Sequence, residues 1–423
     1  MKNHFTPIYL YEKKIDNRNN ELWGQAYANL FSLYGDDPPV ECLHRLVAEE
    51  SLLRGTDAIQ CFAALGKLSA TAREQSVPVV ASTVNSSFAA WLMGATMVNP
   101  LPPHYRCPVC GKIEFVSTVR NGFDLPAKKC RCGKELIRDG HNIPHQSFTH
   151  YLGNGIDTTI YTPEDFKPTA IRILQEAYAG FAELLPVRFN TDDPLPYVEY
   201  VARPLEKEKP TVSTDGYWDT DWETFEYWHT GATRFSFHSD EQIEQLHRQQ
   251  ISTGTLTPDL QALLNPVLAD ALLKSKYQTL LEKSEYLPLQ EPVSFDLLLR
   301  IDGLFCAEDV WGNKTIDLLQ SGQADFWDIP VFREDVFQAI SNALAKYNIH
   351  DSSLALLVMD NVRNGRYSRK PMPHSVETLL RQLGLQDWYI NLLKEVRYLC
   401  YKGHCVTHLI VDLLCEWYST QVK

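Results

Sequence analysis

The sequence predicts an α+β fold, with a mixed α/β N-terminal region that carries a metal-stapled insertion and a mainly α-helical C-terminal region. Three observations predict it. Apolar residues recur at three- and four-residue spacing, with charges between them, over 40–75 and in much of 235–423, which is the period of helices packed on a core. Residues 77–94 (VPVVASTVNSSFAAWLMG) read as a strand that passes through a small-residue turn into a helix. From 98 to 150 the composition changes to prolines, glycines and paired cysteines, the chemistry of loops and short strands that need a metal to hold their shape.

A chain of 423 residues with 44% hydrophobic and 11% aromatic residues can bury two or three cores, which excludes a disordered chain. The first twenty residues turn charged before any apolar stretch, and no later run of about 18 apolar residues follows, so a cytoplasmic protein with no membrane contact is expected. In that compartment the ten cysteines are reduced thiols, four of them crowded into 107–132. A formal charge of −13 argues against tight, unaided binding to a duplex, because such binding draws its affinity from Lys and Arg that displace phosphate counterions.

The elements divide the chain into an N-terminal extension (1–34), a mixed α/β domain (35–185) that contains the metal-binding segment 98–150, an irregular acidic and aromatic connection (186–234), and a helical domain (235–423). Within the second region, residues 168–185 open with proline and place Ile171, Leu174, Ala177, Phe181 and Leu185 on one face of an amphipathic helix. Within the last, helix starts are expected at Thr257-Pro258-Asp259 and Phe332-Arg333-Glu334, and an apolar helix from Cys405 to Trp417.

Cys107-x-x-Cys110 and Cys130-x-Cys132, each followed by a glycine (Gly111 and Gly133), have the form of two knuckles around a tetrahedral structural Zn²⁺. The second pair is one residue short of the usual spacing, so His141 or His145 stands as an alternative to one thiol. Four protein ligands leave no open position, which speaks against a catalytic zinc.

The residues around the cysteines form an unusual set: Val98-Asn99-Pro100-Leu101-Pro102-Pro103-His104-Tyr105, then Gly122-Phe123-Asp124-Leu125-Pro126, then Asp139-Gly140-His141-Asn142-Ile143-Pro144. Together they resemble the palm of the PolC-type bacterial DNA polymerase III alpha subunit. The likeness resumes in Arg300-Ile301-Asp302-Gly303-Leu304, Asp309-Val310-Trp311, Trp388-Tyr389-Ile390 and Lys402-Gly403-His404, which look like the family's fingers in the family's order. It covers 35–170 and 235–420. The resemblance implies a palm-like α/β region with a zinc-binding insertion and a helical, fingers-like domain. It leaves no room in 423 residues for the family's exonuclease, phosphatase-like, duplex-binding or clamp-binding parts.

The family's two-metal chemistry needs carboxylates that grip divalent cations. Where the family has Pro-Asp-Ile-Asp-Leu-Asn-Phe, this chain reads Gly155-Ile156-Asp157-Thr158-Thr159-Ile160-Tyr161, so Asp157 is the one surviving candidate and Mg²⁺ is not expected as a cofactor. A third family carboxylate has no counterpart in 190–235. The family's Gly-Ser-Arg-Gly-Ser-Val-Gly-Ser-Ser-Phe turn becomes Val79-Val80-Ala81-Ser82-Thr83-Val84-Asn85-Ser86-Ser87-Phe88, without the glycines or the arginine. Its Gly-Leu-Ser-His-Gly-Thr-Asp-Val-Trp becomes Gly303-Leu304-Phe305-Cys306-Ala307-Glu308-Asp309-Val310-Trp311. Lys402 and His404 keep the family's Lys-Ala-His pattern and are candidates for a nucleotide or DNA contact, against the plainer alternative of solvated helix-end residues.

The expected function is therefore that of a catalytically inactive PolC-like protein, a replication-linked module that contacts replication proteins or nucleic acid. One alternative is a polymerase subunit with DNA-directed DNA polymerase activity completed by a partner. Another is a protein-interaction module of a plasmid, phage or defence element, working through the patch at Trp218, Asp219, Asp221, Trp222 and Trp228, where Asp219-Thr220-Asp221 is also a rival metal motif.

Overall fold

Helix α1 (Thr6–Tyr34) repeats Trp23, Ala26, Leu30 and Tyr34 at helical spacing, and all four are buried. The sequence predicts an extension over 1–34. In the computed structural model the second half of α1 instead joins α2 (Val40–Leu53), α3 (Ala58–Glu74) and α4 (Phe88–Leu92) in one core. The structure describes residues 6–149, 156–180, 182–189, 198–204, 212–220, 233–254, 258–277, 287–288, 292–307, 309–310 and 312–421.

These helices cover one face of a six-stranded mixed sheet. Its strands are β1 (Val80–Ala81), β5 (Asp157–Tyr161), β6 (Ala182–Phe189), β7 (Val198–Pro204), β8 (Trp218–Thr220) and β9 (Arg234–His238), in the order β1-β5-β9-β7-β6-β8. The strand-turn-helix expected over 77–94 is present as β1, a turn of 3-10 helix at Thr83–Ser86, and α4. Alternation along the strands sorts the faces. Ile160, Phe235, Phe237, Leu184 and Ala202 enter the core beneath the helices, while Leu185, Val187, Val201 and Trp218 form a small apolar cluster on the other face.

Two expectations are corrected in this region. The helix predicted over 168–185 is α6 (Lys167–Tyr178), which stops before Gly180 at φ +78°, and Leu184 and Leu185 lie in β6. A short apolar run fits either period, and here the ladder with β7, paired from Ala182↔Pro204 to Arg188↔Val198, decides it. The connection predicted as irregular over 186–234 also supplies β7, β8 and the first residue of β9 to the sheet.

A second, three-stranded antiparallel sheet, β3-β2-β4, carries the cysteines: β2 (His104–Arg106), β3 (Ile113–Phe115) and β4 (Ile137–Asp139). The short helix α5 (Gln146–Thr149) leads away from it.

The C-terminal half is helical, as predicted: α7 (Glu241–Thr253), α8 (Pro266–Lys276), α9 (Phe295–Cys306), α10 (Asn313–Gln320), α11 (Arg333–Ala345), α12 (Ser353–Arg363), α13 (Arg366–Arg369), α14 (His374–Gln382), α15 (Asp387–Glu395) and α16 (Lys402–Gln421). Helix α11 starts where Phe332-Arg333-Glu334 predicts, with Asp335 accepting the Val331 and Phe332 amides at 2.9 and 3.0 Å. At the other predicted start Thr257 lies outside the described residues, and Asp259 caps a 3-10 turn at Leu260–Leu263 while helix α8 begins after Asn265. A second large core runs from Val80 and Val98 through α9, α11, α12 and α16. Among the described residues no helix is long and apolar enough to cross a membrane.

Candidate functional site

The first knuckle is the turn between β2 and β3. The Cys107 amide donates to Lys112 O at 2.8 Å, the Gly111 amide to Cys107 O at 3.1 Å, and the Cys110 amide to the Cys107 sulfur at 3.5 Å. Gly111 sits at φ +66°, and a Cβ there would lie 2.7 Å from Gly35 N and 2.8 Å from Tyr34 C, so this turn fits against the end of α1 only without a side chain. The second knuckle closes through the Cys130 amide on Lys134 O (2.8 Å) and the Gly133 amide on Cys130 O (2.9 Å), with Gly133 at φ +85°.

The two turns bring four sulfurs together. Cys107 and Cys132 are 3.5 Å apart, Cys110 and Cys130 are 3.6 Å apart, and all four Sγ atoms lie within 4.8 Å of one another. A tetrahedral ion with Zn–S near 2.3 Å needs S···S separations of about 3.8 Å, so the set fits a structural Zn²⁺. The N–H groups of Cys110 and Val109 pull the Cys107 thiol down to about 6, and the hydrogen bond that Cys110 makes to the Cys107 sulfur pushes its own thiol up to about 11. Gathering several thiolates here is therefore costly until a cation arrives.

The shorter second spacing does not call on a histidine. His141 is buried between Phe123 and Phe295, with ring centroids at 4.7 and 5.9 Å, and its Nδ1 faces the Asn121 amide at 3.1 Å. Burial lowers the His145 pKa to about 4, beside the Arg45 guanidinium. Both lie apart from the cysteine cluster.

The idiosyncratic residues around the cysteines form one interlocked pair of loops. His141, Asn142 and Ile143 donate their amides to the carbonyls of Asn99, Leu101 and Pro100, and Asn99 donates to Asp139 at 2.8 Å. Gly140, at φ +99°, backs onto Pro102, where a Cβ would meet the carbonyl oxygen at 2.2 Å.

Asp157 begins β5, and its register with the parallel strand β9 sets the neighbouring face: Asp157 beside Arg234, Thr159 beside Ser236, Tyr161 beside His238. Asp157 is half exposed and pairs with Arg234 Nη2 at 3.0 Å, while Arg234 Nη1 reaches the buried Glu199 at 3.4 Å. Thr159 and Ser236 meet hydroxyl to hydroxyl at 3.3 Å. The two positions that share a face and a level are thus neutral, and the acid at the strand end is matched by a cation. Among the described residues the clusters with metal-ligating geometry consist of cysteines, and no three carboxylates converge.

The turn after β1 is committed internally. Asn85 is fully buried and donates to Thr407 Oγ1 at 2.7 Å. The buried Glu49 carboxylate accepts the Phe88 and Ala89 amides at 2.9 and 3.0 Å and the Ser87 hydroxyl at 2.7 Å, so the N-terminus of α4 holds an anion of the protein's own. Arg45 neutralises it at 2.6 Å.

Lys402 and His404 occupy the first turn of α16. Lys402 is 9% exposed, and its amide is capped by Glu334 at 2.9 Å, so it is not a solvated helix-end residue. Burial and the neighbouring His408 lower the His404 pKa to about 4, which leaves the ring neutral near pH 7. Its ring packs among Tyr161, Tyr401 and His408.

In the patch predicted at Trp218, Asp219, Asp221, Trp222 and Trp228, Trp218 is a core residue at 6% exposure beside Leu185 and Val187 rather than an exposed contact. Asp219 makes a two-pronged pair with Arg188 at 2.6 and 3.0 Å, and Asp215 joins at 2.9 Å. Its charge is spent on that guanidinium. Asp221, Trp222 and Trp228 lie outside the described residues. Sequence inspection missed Glu49, Glu199 and Arg234, since none carries a local motif.

No protein-family model matches the chain. Individual relatives do: it is 25% identical to the DNA polymerase III PolC-type of Staphylococcus saprophyticus, over 97% of this chain and 33% of that protein. It is 26% identical to that of Streptococcus thermophilus (97% and 32%) and 26% identical to that of Thermotoga maritima (93% and 33%). The chain spans about a third of the length of these relatives. The stretch aligned with the first runs over 481 positions, more than the chain's own 423 residues, so that relative carries residues inside the matched region that this chain lacks.

Proposed function

We propose that this PolC-like chain is a non-catalytic member of the replication machinery, with a palm-like α/β region and fingers-like helices serving as a scaffold for protein or nucleic-acid contacts. The observation that carries this reading is the β5–β9 face, where Thr159 and Ser236 stand side by side and Asp157 is neutralised by Arg234. Two-metal phosphoryl transfer requires several carboxylates around a shared pair of cations. At that place the two carboxylates, Asp157 and Glu199, share the Arg234 guanidinium and the other groups are hydroxyls, which offers a divalent ion little to bind.

The internal anion at α4 supports the same reading, because the helix N-terminus that follows the turn is already occupied by Glu49. The cysteine site, by contrast, keeps the geometry of a structural Zn²⁺. Such a distribution suits a protein whose shape is used and whose chemistry is not. The net charge of −13 favours protein partners over bare duplex.

Primer extension on a primed template with Mg²⁺ or Mn²⁺ tests the proposal, alone and with co-purified proteins. No extension is expected from the isolated chain. Turnover by the isolated chain that disappears in Asp157→Ala would overturn the reading, and turnover seen only with a partner would favour a composite polymerase.

A further inference from the structure

Six of the ten cysteines lie outside the knuckles, and three of them meet. Cys306 is the last residue of α9, Cys400 forms a bridge with Phe332, and Cys405 lies in the first turn of α16. Their Sγ atoms all lie within 4.8 Å of one another.

The scaffold that brings them together is rigid. Gly303 has no room for a Cβ, which would meet the Phe332 ring at 2.4 Å, so α9 is seated against Val331 and Phe332. The Arg333 amide donates to Cys400 O at 3.1 Å, and Glu334 of the same helix caps Lys402. Cys400 and Cys405 are 3% and 0% exposed, while Cys306 is exposed. The cage is closed on the protein side and open on one solvent side.

Beside it, the rings of His404 and His408 lie 4.1 Å apart between centroids, and His404 Nδ1 and His408 Nε2 are buried with no hydrogen-bond partner. A buried cysteine on its own is a small apolar residue. Packing alone gives no reason for three sulfurs from separate segments to converge next to buried imidazole nitrogens that lack a hydrogen-bond partner.

We propose that Cys306, Cys400 and Cys405 form a second metal site, which takes one Zn²⁺ through three thiolates and leaves a fourth position for water or for the His404 imidazole. Three sulfurs at these separations suit a soft, borderline d¹⁰ ion. Binding ties the end of α9 to the start of α16, and the ion enters past Cys306.

The test is metal analysis of the full chain after equilibration with Zn²⁺ and gel filtration. Two Zn²⁺ per chain are expected for the wild type and one for Cys306→Ser, whose exposed position spares the fold; circular dichroism checks that. A Cys107→Ser/Cys110→Ser variant loaded with Co²⁺ should still show thiolate-to-cobalt charge-transfer absorption, and that absorption should vanish when Cys306→Ser is added. One Zn²⁺ in the wild type, two in Cys306→Ser, or a disulfide among the three cysteines in protein purified with Zn²⁺ present would overturn the proposal.

Discussion

The knuckle segment and the β5–β9 face are held in different ways. In the knuckles the residues that shape the backbone are in position, from Gly111 wedged against Gly35 to Gly140 against Pro102, and the four sulfurs meet. On the sheet face the strands pair in register and carry hydroxyls at Thr159 and Ser236 and a guanidinium beside Asp157. Shape and charge are separable, because a β-strand accepts many side chains on its outer face while a tight turn at positive φ accepts few.

The largest effect that would sharpen this contrast is metal removal. Stripping Zn²⁺ with a chelator should melt the segment from 98 to 150, since such sites contribute on the order of 10 kcal/mol of apparent binding energy in small domains. Hydrogen exchange should rise there and leave β5 and β9 protected. Acidification should act in the same direction, because protons compete with the ion for the thiolates. Equal protection with and without metal would break the contrast.

Next in size is Gly111→Ala, which places a methyl within 2.8 Å of Tyr34 C and holds an alanine at φ +66°. A loss of about 2 kcal/mol is expected in chemical denaturation, together with weaker zinc affinity. An unchanged midpoint would mean that the turn and α1 are not in contact.

The smallest effect is expected at Asp157→Asn. The side chain is 56% exposed and its ion pair with Arg234 is screened by water, so stability should change by less than about 1 kcal/mol. Calorimetry with Mn²⁺ should give the same trace for wild type and variant. A divalent-ion signal that Asp157→Asn abolishes would restore the sheet face to a catalytic role.

What the sequence made legible follows the same division. The cysteine knuckles, the helical C-terminal half and the strand-turn-helix at 77–94 carry local signals of spacing, capping and turn chemistry, and each is present. Strands β6, β7 and β8 were hidden because their pairing is long-range and their prolines and charges imitate a loop. Trp218 imitated a surface aromatic because only the register with Val187 shows that it points inward. The thiols of Cys306, Cys400 and Cys405 share no motif, since three separate segments supply them. Glu49 gave no sign of its role, as a carboxylate on an amphipathic helix ordinarily faces water.

Gly403 carries a consequence for motion. A Cβ at this position would lie 2.8 Å from Asn85 Cβ, and Asn85 also donates to Gly403 O at 3.3 Å and to Thr407. The first turn of α16 and the segment after β1 thus touch backbone to side chain with no cushion between them. The last helix cannot roll about its axis unless that segment rolls with it, so a turn of this helix is felt at the edge of the large sheet.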